Sequence, residues 1–253
     1  MTPRHSRYYR LGVLCLAGLA VWQIVSTYPH LCQTADEPNH LATGLEWLQE
    51  GTYLLGPENP PLARIVAALL PYLSGQRLDL DDAIWTDFPR HFAISYDLGR
   101  DLLYRNGAYL QNLSRARMGT LPFFLLAIAI VWHWANRYGG PVAGFLATGM
   151  FCTLPSILGH AGLATTDIPF TATLLCALYA FVLWIEMPAQ RRAAIFGLAL
   201  GLALITKFSA LIFSRSVPSP PSCSAEFCTG KNGLQTGHGG AGACRSQQPC
   251  AFF

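Results

Sequence analysis

The sequence predicts an all-α polytopic membrane protein: about five transmembrane helices, a long external loop carrying amphipathic surface helices, and a disordered C-terminal tail. Three observations carry this. Of 253 residues, 52% are hydrophobic and only 12% charged, and the mean hydropathy is +0.31. A soluble domain carries about a quarter charged residues. Of the 14 acidic residues, 11 lie between Asp36 and Asp101, so one hydrophilic stretch interrupts an apolar chain. Finally, five runs approach the ~20 apolar residues that cross a bilayer.

Those runs are 11–28, 118–135, 142–158, 168–185 and 193–213. Arg4, Arg7 and Arg10 precede the first, as in a signal peptide. No clean small-x-small cleavage site follows, and further spans do, so the run reads as an uncleaved span. Arg137 follows the second run, and Arg191 and Arg192 separate the fourth from the fifth. With alternating spans these arginines share one side with residues 1–10, and the positive-inside rule makes that side cytoplasmic. Residues 29–117 and the turn 159–167 then lie outside. The arginines of the long loop do not count, because long translocated loops escape the rule.

The external loop has a pattern of its own. Leu41, Leu45 and Leu48 recur at helical spacing, and Gly51 can end that helix. Asp36 or Glu37 can cap its start, with Pro38 tolerated in the first turn. A second helix opens at Pro60-Pro61, presents Leu62, Ile65, Val66 and Leu69 on one face, and closes near Pro71. A weaker helical pattern covers Phe92 to Tyr104. Such helices would lie along the membrane surface with polar faces toward water.

After Phe213 the chain turns rich in Ser, Pro, Gly and Cys and loses apolar periodicity. Residues 214–253 therefore read as a disordered tail. The abruptness of the change suggests a truncated or frameshifted reading frame. Of eight cysteines, Cys223, Cys228, Cys244 and Cys250 fall in this tail, with spacing that fits neither paired CxxC ligands nor a disulfide framework. A formal charge of +3 and the lack of a basic stripe with interleaved aromatics exclude a nucleic-acid partner.

Four clusters fall on the external side. In the first, Asp36, Glu37 and His40 follow the first span closely, and Asp36 and His40 are spaced to share a helical face. A carboxylate there can act as a general base or bind a divalent cation; it can equally favour a helix N-terminus by its charge. The second cluster spans Glu58 to Arg64, where the double proline fixes the backbone and Arg64 can reach a phosphate or remain solvated. The third, Gly159 to Asp167, carries His160 and ends in a carboxylate at a re-entry point, which requires a polar cavity or a capping role. The fourth is Lys207, roughly 10 Å short of the outer end of the fifth run, able to snorkel or to hold a lipid-linked phosphate. Carboxylates, imidazoles and cations on one face suit displacement of a sugar from a lipid phosphate.

In order and sidedness these elements resemble the N-terminal part of the GT-C glycosyltransferases, in the branch of protein O-mannosyltransferases and aminoarabinose transferases. The match is carried over about residues 8–213 by Asp36-Glu37-Pro38-Asn39-His40, by Glu58-Asn59-Pro60-Pro61-Leu62-Ala63-Arg64, and by His160-Ala161-Gly162-Leu163-Ala164-Thr165-Thr166-Asp167. Asn59 stands where the family often carries Lys. The resemblance implies a polyprenyl- or dolichyl-phosphate sugar donor, a protein or lipid acceptor, and transfer on the periplasmic or lumenal side of a bacterial inner membrane or an ER membrane. It implies Asp36, Glu37 and Asp167 as catalytic residues, with Asp36 the leading base. His40, Asn59, Arg64, His160 and Lys207 would contact substrate. Two other readings compete: an inactive membrane fragment of such an enzyme, and a transporter, against which intramembrane polar residues are few.

Overall fold

The computed structural model describes residues 3–79 and 91–215, all within the compact unit Met1–Pro218. The tail expected to be disordered lies outside the described residues, apart from its first two positions. Every regular element described is helical: α1 (Pro3–Thr27), α2 (Glu37–Glu50), α3 (Leu62–Leu73), α4 (His91–Tyr104), α5 (Tyr109–Met118), α6 (Leu121–Thr153), α7 (Pro155–Ala161), α8 (Asp167–Glu186), α9 (Gln190–Leu204) and α10 (Ala210–Arg215).

Among the described residues, three stretches are long and apolar enough to cross a membrane: Arg7–Thr27, Tyr109–Thr153 and Asp167–Glu186. The second is not one rod. Gly140 adopts φ 77°, ψ −179°, a conformation open essentially to glycine alone, and Pro141 follows. The chain folds back there. The rings of Phe124 and Phe151 stack at 6.0 Å, although a straight helix would hold them about 40 Å apart. The two arms of this hairpin occupy the segments expected at 118–135 and 142–158. Phe124, Ile128 and Cys152 then close an apolar cluster with Ala20, Ile24 and Tyr28 of the α1 region and Ile168 of α8.

The segment expected as a fifth span, 193–213, is two helices. At 15 residues α9 is about 22 Å long, less than the ~30 Å hydrocarbon core. The chain breaks after Leu204 and resumes as helix at Ala210. The break is tied into the fold, because the Ile205 carbonyl accepts the Leu62 N–H that opens α3, at 3.1 Å.

Helices α2 to α5 form a second cluster around Leu41, Leu45, Leu55, Ala68, Leu102 and Leu113. The leucine stripe of α2 points into it, and Gly51, at φ 66°, ends the helix in the left-handed conformation. Ten of its 14 residues are buried, so α3 and α4 enclose its polar side as well. Gly44 makes this possible. A Cβ there would sit 2.2 Å from the Arg64 carbonyl oxygen, so α2 and α3 touch backbone to backbone. That close crossing also rotates α3 from the expected face. Ala63, Arg64, Ala67 and Ala68 are buried, whereas Leu69 and Leu73 are exposed. Small residues must fill a tight crossing, and the leucines turn outward.

Candidate functional site

The ends of five segments meet around one polar cavity of about 280 Å³. Asp36, Asn39 and His40 enter it from the start of α2. Glu58, Asn59 and Arg64 come from the loop before α3 and its first turn. Tyr96 enters from α4, Thr165, Thr166 and Asp167 from the entry to α8, and Lys207 from the break after α9. Of the residues singled out from the sequence, Asp36, His40, Asn59, Arg64, Asp167 and Lys207 border this cavity. His160 joins it through Asp167, its Nδ1 lying 3.5 Å from Oδ2.

Asp36 precedes the first turn of α2 but makes no capping hydrogen bond. Its exposed carboxylate accepts one from the Tyr96 hydroxyl at 3.3 Å. Asp167 Oδ1 accepts from Lys207 Nζ at 2.8 Å, with both side chains partly exposed. Two groups that the sequence left as unpaired charges thus satisfy each other.

Glu37, adjacent to Asp36, is placed elsewhere. Its side chain is 1% exposed and does not border the cavity. Arg117 donates to both of its oxygens, Nε at 2.8 Å and Nη2 at 2.9 Å. The Thr34 and Ala164 N–H groups donate at 2.8 and 2.9 Å. Burial would raise the Glu37 pKa, but the Arg117 bonds and the two backbone donors outweigh it and hold the carboxyl below its ordinary value. Arg117 in turn binds the Leu31 and Cys32 carbonyls. One buried ion pair thus fastens the α1–α2 link, the end of α5 and the segment leading to Asp167. The sequence marked Glu37 by its position beside Asp36, but gave no signal for Arg117, which lies 80 residues away.

Arg64 is also buried, at 1%. It donates to His40 Nδ1 at 3.1 Å, the Gly56 carbonyl at 2.6 Å, the Tyr53 hydroxyl at 3.2 Å and Glu58 Oε1 at 2.7 Å. Burial, followed by the Arg64 charge, pushes the His40 pKa down to about 4. His40 is therefore neutral near pH 7. Glu46, fully buried, holds the intervening loop by accepting the Leu54 and Leu55 N–H groups. Among the described residues no group of three or more His, Cys, Asp and Glu side chains is arranged to hold a metal ion.

Residues 96–216 match the family model described as dolichyl-phosphate-mannose-protein mannosyltransferase. This segment, a little under half of the chain, is similar to membrane glycosyltransferases of the GT-C type. The matched segment contains Tyr96, Arg117, His160, Asp167 and Lys207 and the apolar helices between them. Asp36, His40 and Arg64 precede it and meet it only in space. No curated protein and no solved structure matches the chain.

Proposed function

We propose that this protein transfers a sugar from a polyprenyl- or dolichyl-phosphate donor to a protein or lipid acceptor on the external face of its membrane. The observation that supports this best is the convergence of the exposed Asp36 carboxylate with the Lys207–Asp167 pair on one cavity at the ends of apolar helices. In this reading Asp36 accepts the proton of the acceptor hydroxyl as its oxygen bonds to the sugar C1. The bond from C1 to the phosphate oxygen breaks, and its electron pair leaves with the phosphate. Lys207 offsets the charge that develops there, and Asp167 holds Lys207 in place. Asn59 and His160 border the substrate. Arg64 borders the same cavity and holds His40, and Glu37 acts through the fold by fixing Asp36 against the α8 entry. The arginine-rich short loops favour a cavity open to the periplasm or the ER lumen.

Transfer of labelled sugar from lipid phosphate in reconstituted vesicles tests this reading. Asp36→Asn and Asp167→Asn should each insert normally and lose transfer. Undiminished transfer in both variants removes the proposed chemistry.

A further inference from the structure

Arg64 borders the cavity, but most of its hydrogen-bonding capacity is spent on the protein, His40 included. Four of its five N–H hydrogens are taken by His40 Nδ1, Gly56, Tyr53 and Glu58. A guanidinium remains protonated in proteins, so the His40 Nδ1 facing it can only accept. The neutral ring then carries its hydrogen on Nε2. His40 is 8% exposed and borders the cavity. Among the described residues no acceptor takes that hydrogen. A buried imidazole fixed on one nitrogen and unpartnered on the other is built to meet a ligand acceptor.

We propose that His40, locked by Arg64, presents its Nε2–H as a fixed hydrogen-bond donor to a phosphate oxygen of the lipid-linked donor and exchanges no proton during transfer. This rests on the glycosyl-transfer reading above. Three carboxylates, Asp36, Glu58 and Asp167, border the same space and repel a phosphate. Lys207, Arg64 and the His40 N–H provide the counterweight, and the Arg64 charge polarises the imidazole N–H through Nδ1. The low His40 pKa agrees with this geometry: both Arg64 and burial disfavour a second proton. His40 thus contacts the substrate directly, and Arg64 is the positioning residue that acts through it.

Nitrogen-15 NMR of histidine-labelled full chain in lipid nanodiscs, with the His40 signal assigned by its loss in His40→Gln, reads the tautomer directly. The expected result is an Nε2–H imidazole that does not titrate between pH 5.5 and 8, and whose Nε2 signal moves on adding farnesyl phosphate. His40→Ala should weaken farnesyl phosphate binding by about 10- to 100-fold, and His40→Gln, which keeps an N–H donor, by much less. A Nδ1–H tautomer, titration within that pH range, or equal loss in both variants overturns the inference. Farnesyl phosphate binding with an unmoved Nε2 signal overturns this inference alone. Failure of wild-type protein to bind farnesyl phosphate overturns it together with the glycosyl-transfer reading.

Discussion

Lys207 Nζ lies 2.8 Å from Asp167 Oδ1, joining the break after α9 to the first residue of α8. The pair is neither buried nor fully solvated: Lys207 is 30% exposed and Asp167 42%. An ammonium has three donors, so Lys207 can keep Asp167 and still receive an anion. The break in the helix puts it there. A continuous α9 would leave this ammonium on a helix wall, whereas the turn at residues 205–209 brings it to the cavity.

Replacing Lys207 by Met should therefore raise the KM for the lipid-phosphate donor by about tenfold or more, the weight of a charge-assisted contact. Steady-state transfer at varied donor concentration measures this. An unchanged KM would detach Lys207 from the phosphate.

Asp36→Asn should lower kcat by about 100-fold or more, in the range of a lost general base, with little change in donor KM. Single-turnover transfer, with insertion checked by protease protection, separates the chemical step from folding.

Arg117→Met should destabilise the fold by about 3–5 kcal/mol, because it leaves the Glu37 carboxylate buried without its cation. The double variant Arg117→Met, Glu37→Gln should recover part of the loss, since no charge then remains buried. Equilibrium unfolding in detergent compares wild type, each single variant and the double variant. Additive losses would exclude the pair as a structural unit.

Acid should loosen the cavity. The His40 pKa is depressed from 6.5 to about 4, so the unfolded chain binds the extra proton more readily. Stability is then full above pH 6.5 and is lost as pH falls toward 4, by up to about 3 kcal/mol. Glu37, depressed below its ordinary value, adds to the loss in the same direction, but only below pH 4.5. Unfolding midpoints measured from pH 7 to 4.5 should decline in wild type and much less in His40→Gln.

Gly44→Ala should separate α2 from α3, because its Cβ would meet the Arg64 carbonyl at 2.2 Å. The displacement falls on the helices that carry His40 and Arg64. Transfer activity should drop at least tenfold even if the protein still inserts, since an ångström of misplacement in a site has costs of that order. Activity equal to wild type would show that this crossing does not position the site.

Much of this was legible in one dimension. Hydropathy marked the apolar helices, and Gly51 marked the end of α2. The polar clusters after spans one and three came from the cost of leaving charge at a membrane edge. Other features depended on contacts between distant residues. The sharp return at Gly140 joins what hydropathy sees as two runs, and the inward face of α3 was decided by a glycine on another helix. Arg117 carries no local signal, because a buried arginine and a solvated one look alike in sequence.

The Asp36-Glu37 pair shows where the boundary lies. The sequence by itself determined that two carboxylates stand just past the first apolar run, before a helix. Only the tertiary structure decided that they part company. Successive residues of a helix point about 100° apart, so one turn can present Asp36 to the cavity and Glu37 to the interior. Which carboxylate faces which side depends on where Arg117, Ala164 and Tyr96 come to rest, and those positions are fixed by packing across the whole fold.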